Sequence, residues 1–201
     1  MTQSGFFHDG NRALQDAFAS RGIADRLEGM VRSEFSDSDK EFIGSSIYFF
    51  LASADAEGRP DCSFKGGPMG FVQVTEPGEL AFPDYDGNGM FKSLGNLMVN
   101  AEVGLLFINM HGGPRRLRVN GRATVLRDDP LLRHFVGAQM IVRVAARAIF
   151  PNCPRYIPDL EMQAPSVYIP VAGVVPVEPA WKGFDVFKDQ VPARAPAWDG
   201  R

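Results

Sequence analysis

The spacing of apolar residues sets the first part of the chain apart from the rest. Over residues 9–32, apolar side chains recur at helical spacing between charged ones, which predicts helix with a break or kink at Gly22. The segment "SDSDKEFIGSS" that follows predicts a short helix with Ser36 or Ser38 as its N-cap. Residues 1–40 are therefore predicted to form an N-terminal helical segment.

Residues 41–150 consist mainly of short apolar runs separated by turns, the pattern typical of strands. Six runs are predicted as strands: 46–55, 61–76, 78–83, 102–109, 115–126 and 140–151. A helix is predicted over 91–100, and "RDDPLLRHF" predicts another, with Asp128 or Asp129 as cap and Pro130 in its first turn. This pattern predicts a mainly β (α+β) fold, a small antiparallel barrel with flanking helices. A two-layer α+β arrangement without closure is the alternative.

Proline and glycine become frequent after Pro151, so long regular elements are not expected there. Residues 151–201 are predicted to form a Pro-rich C-terminal arm that packs on the barrel or on a partner subunit. Its length and its aromatic residues Trp181, Phe184 and Phe187 suggest that it wraps over the partner's cleft.

Composition excludes several classes of function. With 201 residues, of which 45% are hydrophobic, the chain can bury a sizeable core. The formal net charge of −3 provides no overall basic field, so nucleic acid is not an expected partner. No run approaches the roughly 18 consecutive apolar residues of a membrane span. The first residues lack the basic and apolar regions of a signal peptide. We therefore expect neither a membrane anchor nor export.

The positions of cysteine and histidine do not predict a metal site. Cys62 and Cys153 lie far apart and form no C-x-x-C motif, so free thiols in a cytoplasmic protein are expected. His8, His111 and His134 are scattered without the spacing of metal ligands.

A glycine pair interrupts the predicted strand in "SFKGGPMGF". Gly66 and Gly67 weaken a strand, and such a pair marks either a bulge or the close approach of a ligand. On this segment alone, a bulge that curves a barrel strand is the favoured interpretation.

The segment "FPDYDGNGMFKSLGN" joins a predicted strand to a predicted helix. Lys92 and Ser93 stand at the helix N-terminus, where free N–H groups and a partial positive charge suit a phosphate. An ordinary turn at Asn88-Gly89, with Asp86 or Asn88 as helix cap, explains the same residues and is favoured when the segment is taken alone.

The segment "RRLRVNGR" alternates basic and apolar positions along a predicted strand. Arg116, Arg118, Asn120 and Arg122 share one face of it. Such a row meets an anion, a partner subunit or, most often, water. No aromatic residues interleave with it to support RNA binding.

The order of these segments resembles the flavin-binding split barrel of the pyridoxamine 5′-phosphate oxidase family. "GRPDCSF" resembles the family's G-x-P turn and second strand, and "ELAFPDYDGNGMFKSLGN" its third strand, phosphate loop and helix. "NAEVGLLF" resembles N-P-x-x-x-L-L-F with Ala101 in place of proline, "LRVNGRA" the strand with V-x-G-x-A, and "IFPNCPRYI" a segment of largely uncharacterised flavoproteins in this group. The resemblance covers about residues 40–127. It implies a six-stranded split antiparallel β-barrel, an FMN-binding split barrel, that forms a homodimer with FMN at the interface.

The resemblance also implies which residues bind the cofactor. The phosphate would meet the second strand and the loop before the helix, the ring and ribityl groups would run along the end of the third strand, and the basic strand would reach the flavin from the side or across the dimer. The residues that would bind the phosphate are Ser63, Lys65, Gly66, Asn88, Lys92 and Ser93. Those along the ring and ribityl groups are Phe82, Pro83 and Asp84, Arg118 would reach the flavin from the side, and Arg116 would do so across the dimer.

Two departures from the family pattern affect these expectations. The oxidase has an arginine-lysine pair in its phosphate loop, where this chain has Gly89-Met90 or Lys92-Ser93. Phosphate binding would be weaker by one charge-assisted hydrogen bond, about 1.5–3 kcal/mol. The oxidase's substrate motif R-L-x-x-R has no match in residues 151–201. Oxidation of pyridoxamine phosphate itself is therefore not expected.

The expected function is that of an FMN-binding oxidoreductase whose flavin transfers hydride or electrons to an unknown small-molecule substrate. No catalytic side chain is predicted, although Tyr85, Arg118 and Tyr156 are candidate proton donors. The alternatives on the same fold are a deazaflavin-dependent reductase and a non-enzymatic flavin-binding or redox-sensing dimer. Haem would need an axial histidine, for which His111 in a turn is a poor candidate.

Overall fold

Helices come first along the chain and strands dominate after them. The computed structural model describes residues 5–162, 164–175 and 177–191. The α-helices are α1 (Asp9–Ala17), α2 (Arg21–Glu28), α3 (Asp37–Ser45) and α4 (Lys92–Val99). The strands are β1 (Tyr48–Ala54), β2 (Pro60–Gly66), β3 (Gln73–Glu76), β4 (Glu79–Tyr85), β5 (Glu102–Asn109), β6 (Arg115–Leu126) and β7 (Ala138–Pro151). Short 3-10 helices cover Pro130–His134 and Ala180–Gly183.

The seven strands of the described residues form one antiparallel sheet in the order β2-β1-β5-β6-β7-β4-β3. β2 and β3 are its free edges, so hydrogen bonds do not close it. The sheet nevertheless curls around one core. Phe49 on β1 and Phe82 on β4 are separated by three strands in this order, yet their ring centroids are 4.9 Å apart. This curvature makes the sheet a split barrel.

The predicted mainly β fold with flanking helices is confirmed, with a correction to the number of strands. The chain forms seven strands instead of six because the segment predicted as one strand over 61–76 divides into β2 and β3. The glycine pair lies where β2 ends, and a Cβ on Gly67 would lie 2.5 Å from Cγ of Phe71. The favoured bulge at this pair is wrong, since β2 pairs with β1 in one uninterrupted register from Pro60 to Gly66.

A glycine is required instead where β6 and β7 shift register, between Asn120 and Gly121. A Cβ at position 121 would lie 2.2 Å from the carbonyl oxygen of Ala145, so only glycine fits there. The glycine of the segment similar to V-x-G-x-A therefore allows two strands to approach each other.

The N-terminal helices are present as predicted, but their boundaries differ from the predicted ones. The chain breaks between α1 and α2 near Ala19, which adopts a left-handed φ of 51°, and Gly22 lies inside α2. Ser36 is the N-cap of α3, which confirms one of the two predicted alternatives, Ser36 and Ser38. α3 continues past residue 40 and places Ile43 in the barrel core. Helical structure thus runs beyond the predicted end of the N-terminal segment.

After Pro151 the described residues form no strand, and they include the 3-10 helix at Ala180–Gly183. Over the ranges 5–162, 164–175 and 177–191, none of the helices combines the length and the apolar character needed to cross a membrane.

Candidate functional site

A cleft of about 1010 Å³ lies where β2, β4 and α4 come together. The barrel lines it with side chains from β2, from the end of β4, from the loop 86–91 and from the start of α4. The C-terminal arm lines it with Trp181, Lys182, Phe187, Gln190 and Val191. A volume at the upper end of ordinary ligand pockets accommodates a molecule as large as a mononucleotide.

Two serine hydroxyls from distant parts of the chain meet at the barrel side of the cleft. Ser93 Oγ, on α4, lies 2.8 Å from Ser63 Oγ on β2 and 3.2 Å from Oδ2 of Asp61. The alternation of β2 brings Asp61, Ser63 and Lys65 to the same face of that strand. Because each hydroxyl can donate one hydrogen bond and accept others, the serine pair keeps capacity for a ligand.

Helix α4 begins at the cleft without a side-chain cap. Its N-cap residue is Phe91, in the left-handed region at φ 48°, a conformation that is uncommon outside glycine and is often found at binding sites. The expected cap by Asp86 or Asn88 is wrong, because Oδ1 of Asn88 accepts from the N–H of Met90 at 3.0 Å, within the predicted turn at Gly89. The first-turn N–H groups and their partial positive charge remain available to an anion.

Three lysines and three aspartates line the cleft: Lys65, Lys92 and Lys182, with Asp61, Asp84 and Asp86. Lys182 Nζ forms ion pairs with Oδ2 of Asp86 at 2.6 Å and Oε2 of Glu178 at 3.3 Å. Among the residues that the structure describes, Lys65 and Lys92 form no ion pair, and these two cations are therefore available to bind an anionic ligand.

Two titratable groups at the end of β4 have altered proton affinity. Burial raises the pKa of Asp84 above its usual value, while Lys65 opposes this shift and Asp86 adds to it. Burial also raises the pKa of Tyr85 to about 12. No side chain in the described ranges hydrogen-bonds to the carboxyl group of Asp84, which therefore holds a proton more readily than an ordinary aspartate.

Eight of the eleven residues predicted to bind the cofactor line this cleft: Ser63, Lys65, Gly66, Pro83, Asp84, Asn88, Lys92 and Ser93. Phe82, Arg116 and Arg118 do not. The side chain of Phe82 is fully buried in the barrel core, where it packs against Phe49, so it does not face the cleft. The other eight bring together the groups of a binding site, and their contact with a cofactor stays a prediction.

The two arginines lie on the outward face of β6, away from the cleft of their own chain. The buried Leu117 and Val119 occupy the opposite face, as the alternation predicted. The Arg118 guanidinium lies 6.0 Å from the ring centroid of Phe150. The Nε atom of Arg116 is buried and has no hydrogen-bond partner within the described residues.

The arm was predicted to pack on the barrel or on a partner subunit, and its aromatic residues suggested the partner's cleft. In the structure, Trp181, Lys182 and Phe187 line the cleft of their own chain, a contribution that was not among the predicted site residues. The cluster of aromatic and basic residues in "AWKGFDVFK" was a signal that this segment has a binding surface. The candidate donor Tyr156 lies elsewhere, with 89% of its surface exposed.

The pyridoxamine 5′-phosphate oxidase family matches residues 35–167 of the chain. Similar solved structures include HupZ from Group A Streptococcus, 13% identical with a TM-score of 0.46, covering 58% of this chain and 93% of that one. An FMN-binding protein from Syntrophomonas wolfei is 8% identical with a TM-score of 0.45, covering 70% and 97%. HutZ, a heme storage protein from Vibrio cholerae, is 21% identical with a TM-score of 0.39, covering 60% and 92%. No curated protein matches the chain.

Proposed function

Because the chain belongs to the pyridoxamine 5′-phosphate oxidase family, we propose that its cleft binds FMN and that the protein is an FMN-dependent oxidoreductase for a small-molecule substrate. The observation that carries the proposal is the Ser63–Ser93 hydroxyl pair, 2.8 Å apart, beside the uncapped start of α4. Hydroxyl groups and free N–H groups at a helix N-terminus are ordinary ligands of a phosphate group.

The polar side of the cleft fits a phosphate monoester. Lys65 and Lys92 supply positive charge near the serine hydroxyls, and hydrogen bonds between such groups and a phosphate are charge-assisted. Asp61 and Asp84 reduce this attraction because they carry the same sign of charge as the ligand. We therefore expect moderate affinity, with Lys92 contributing a large share of it.

The apolar side of the cleft fits a planar ring system. Six aromatic residues line the cleft: Phe64, Phe71, Tyr85, Phe91, Trp181 and Phe187. Aromatic side chains pack favourably against flat heterocycles and exclude water from them. The cleft thus offers an anion-binding side and an aromatic side, as a flavin mononucleotide requires.

A bound flavin would supply the hydride and electron transfer. The residues of this chain bind it, orient it and limit its contact with water. Asp84 is the cleft residue suited to hold and release a proton, because its pKa is raised by burial. Tyr85 keeps its proton at neutral pH, since burial raises its pKa to about 12.

A homodimer that places the cofactor at its interface is part of this proposal. Its support is the position of Arg116 and Arg118 on the outward face of β6, where a second chain can meet them, and the unpartnered buried Nε of Arg116 among the described residues. Light scattering should give twice the mass of one chain, and a monomer at micromolar concentration would contradict this part. A cytoplasmic location is also proposed, on the two exposed free cysteines.

The proposal is tested by titrating the purified protein with FMN and following the quenching of flavin fluorescence. Lys92→Ala should weaken FMN binding by about 1.5–3 kcal/mol, at least tenfold in affinity. Lys188→Ala is the matched control, because Lys188 pairs with Asp185 on the surface and does not line the cleft. Failure to bind FMN would contradict the proposal, and binding of a deazaflavin in its place would support the alternative cofactor.

Redox activity needs a separate measurement on the FMN-loaded protein. Anaerobic addition of NADH or NADPH should bleach the visible absorbance of the bound flavin. Firm FMN binding without reduction by either donor would favour the non-enzymatic flavin-binding protein.

A further inference from the structure

The C-terminal arm is attached to the cleft through one enclosed lysine. Lys182 Nζ lies 2.6 Å from Oδ2 of Asp86 and 3.3 Å from Oε2 of Glu178. Only 13% of the Lys182 side chain is exposed, against 31% of that of Asp86. The hydrogen bond to Asp86 raises the pKa of Lys182, so the ammonium group stays charged in this enclosed position.

Local structure of the arm holds this lysine in place. The 3-10 helix at Ala180–Gly183 is closed by a hydrogen bond from the N–H of Lys182 to the carbonyl oxygen of Pro179, at 3.0 Å. The neighbouring Trp181 packs edge to face against Phe187, with ring centroids 5.8 Å apart, and both rings line the cleft. The ammonium group of Lys182 and the two aromatic rings therefore belong to one short, locally folded segment.

The position of Asp86 explains why its charge matters. Asp86 opens the loop that leads to the uncapped start of α4, four residues before Met90 and six before Lys92. The negative charge of Asp86 opposes the binding of an anion at Lys92 and Ser93. The ammonium group of Lys182, 2.6 Å from this carboxylate, reduces that opposition from outside the barrel.

We propose that residues 178–191 form a strap that completes the anion-binding part of the cleft, and that Lys182 is a positioning residue that makes the cleft prefer phosphorylated ligands. The strap holds its aromatic residues over the cleft while its lysine cancels the charge of Asp86. The choice of FMN as ligand rests on the proposed function, whereas the closure of the strap does not.

Closure is tested without any ligand, through the fluorescence of Trp181. The chain has two tryptophans, and Trp198→Phe leaves Trp181 as the sole reporter. In that background, Lys182→Met and Asp86→Asn should each shift Trp181 emission to longer wavelength and increase its quenching by acrylamide. Lys188→Met, in the same segment, should leave both unchanged. Unchanged emission and quenching in both cleft variants would overturn the strap.

Selectivity is tested by comparing FMN with riboflavin, which lacks the phosphate. Lys182→Met leaves Asp86 charged, so it should lower the ratio of FMN to riboflavin affinity on the order of tenfold. Asp86→Asn removes the charge together with the ion pair and should keep the ratio near that of the unmodified protein. Adding Asp86→Asn to Lys182→Met should restore the ratio.

The outcomes separate the two proposals. A ratio that Lys182→Met leaves unchanged, in a protein that binds FMN, would overturn the role of Lys182 and leave the proposed function standing. A protein that binds neither flavin, while Trp181 responds as expected, would overturn FMN binding and the selectivity and leave the strap standing.

Discussion

The two ends of strand β4 carry acidic residues in opposite environments. At the first end, Glu79 accepts a hydrogen bond from Arg143 of β7 at 2.6 Å, and Arg143 also donates to Asp129 at 2.5 Å. At the last end, Asp84 lines the cleft, and the structure describes no side chain that hydrogen-bonds to it. The first end is a complete ion-pair network that joins β4, β7 and the 3-10 helix at Pro130–His134.

The two ends of β4 differ in the partners of their acidic side chains, and not only in how deeply these side chains are buried. The hydrogen bond from Arg143 holds the pKa of Asp129 below its usual value, although only 2% of this side chain is exposed. At Asp84, burial raises the pKa, and no side chain that the structure describes hydrogen-bonds to the carboxyl group. One end of the strand thus uses its charges for stability, whereas at the other end the carboxyl group lines the cleft.

The largest effect is expected from removing the shared cation. Arg143→Met leaves the buried Asp129 without its ion-pair partner and should lower the free energy of unfolding by about 3 kcal/mol. Urea unfolding at neutral pH measures it. Lys188→Met, which breaks an exposed pair with Asp185, should have almost no effect. Equal stability of Arg143→Met and the unmodified protein would show that this network does not stabilise the fold.

Acidification should affect the two ends with opposite sign. The pKa of Asp129 is lowered in the folded state. Its contribution to the free energy of unfolding is therefore present above the pKa of the unfolded state, about 3.9, and is lost as the pH falls through the pKa of the folded state. The pKa of Asp84 is raised in the folded state. Its contribution to the free energy of unfolding is therefore present below about pH 3.9 and is lost as the pH rises through the pKa of the folded state.

Two variants separate the contributions of Asp129 and Asp84 to the pH dependence of stability. Between about pH 3 and pH 7, stability should rise less steeply in Arg143→Met than in the unmodified protein, and more steeply in Asp84→Asn, by about 1–2 kcal/mol over the range. Urea unfolding at several pH values measures both. Parallel curves for all three proteins would contradict the assignment of opposite roles.

Asp84→Asn should also stabilise the protein at neutral pH. Replacing a partly buried carboxylate, to which no described side chain hydrogen-bonds, by a neutral amide of the same shape should raise the free energy of unfolding by about 1 kcal/mol. The midpoint of thermal unfolding gives a second measure. A loss of stability would indicate that the carboxylate has a structural role in the cleft.

The smallest effect is expected on the ligand. Asp84→Asn removes one negative charge from the cleft, so FMN affinity should increase by about threefold, while riboflavin affinity should change less. Fluorescence titration of both flavins measures the difference. Weaker FMN binding would mean that the Asp84 carboxylate contacts the cofactor directly.

Local pattern predicted the strands well where alternation was regular. β5 and β6 have the predicted bounds, because the side chains of each strand alternate between a buried and a more exposed face. The division of 61–76 into two strands was missed: the pairing of β2 with β1 ends at Gly66, and the ring of Phe71 then lies against Gly67, a contact that local pattern does not report. Phe82 was predicted to bind the ligand because the family resemblance places the end of the third strand along the flavin, but its position on β4 directs its side chain into the core.

The sequence by itself determined the helical beginning, the strands, and the polar groups that a phosphate site needs. Only the tertiary structure decided which of these groups meet. Ser63 and Ser93 lie 30 residues apart and share a hydrogen bond, and Lys182 reaches Asp86 across 96 residues. The physical reason is that periodicity reports which face a side chain occupies. Which faces meet depends on how the open sheet curls around its core and where the arm returns to it.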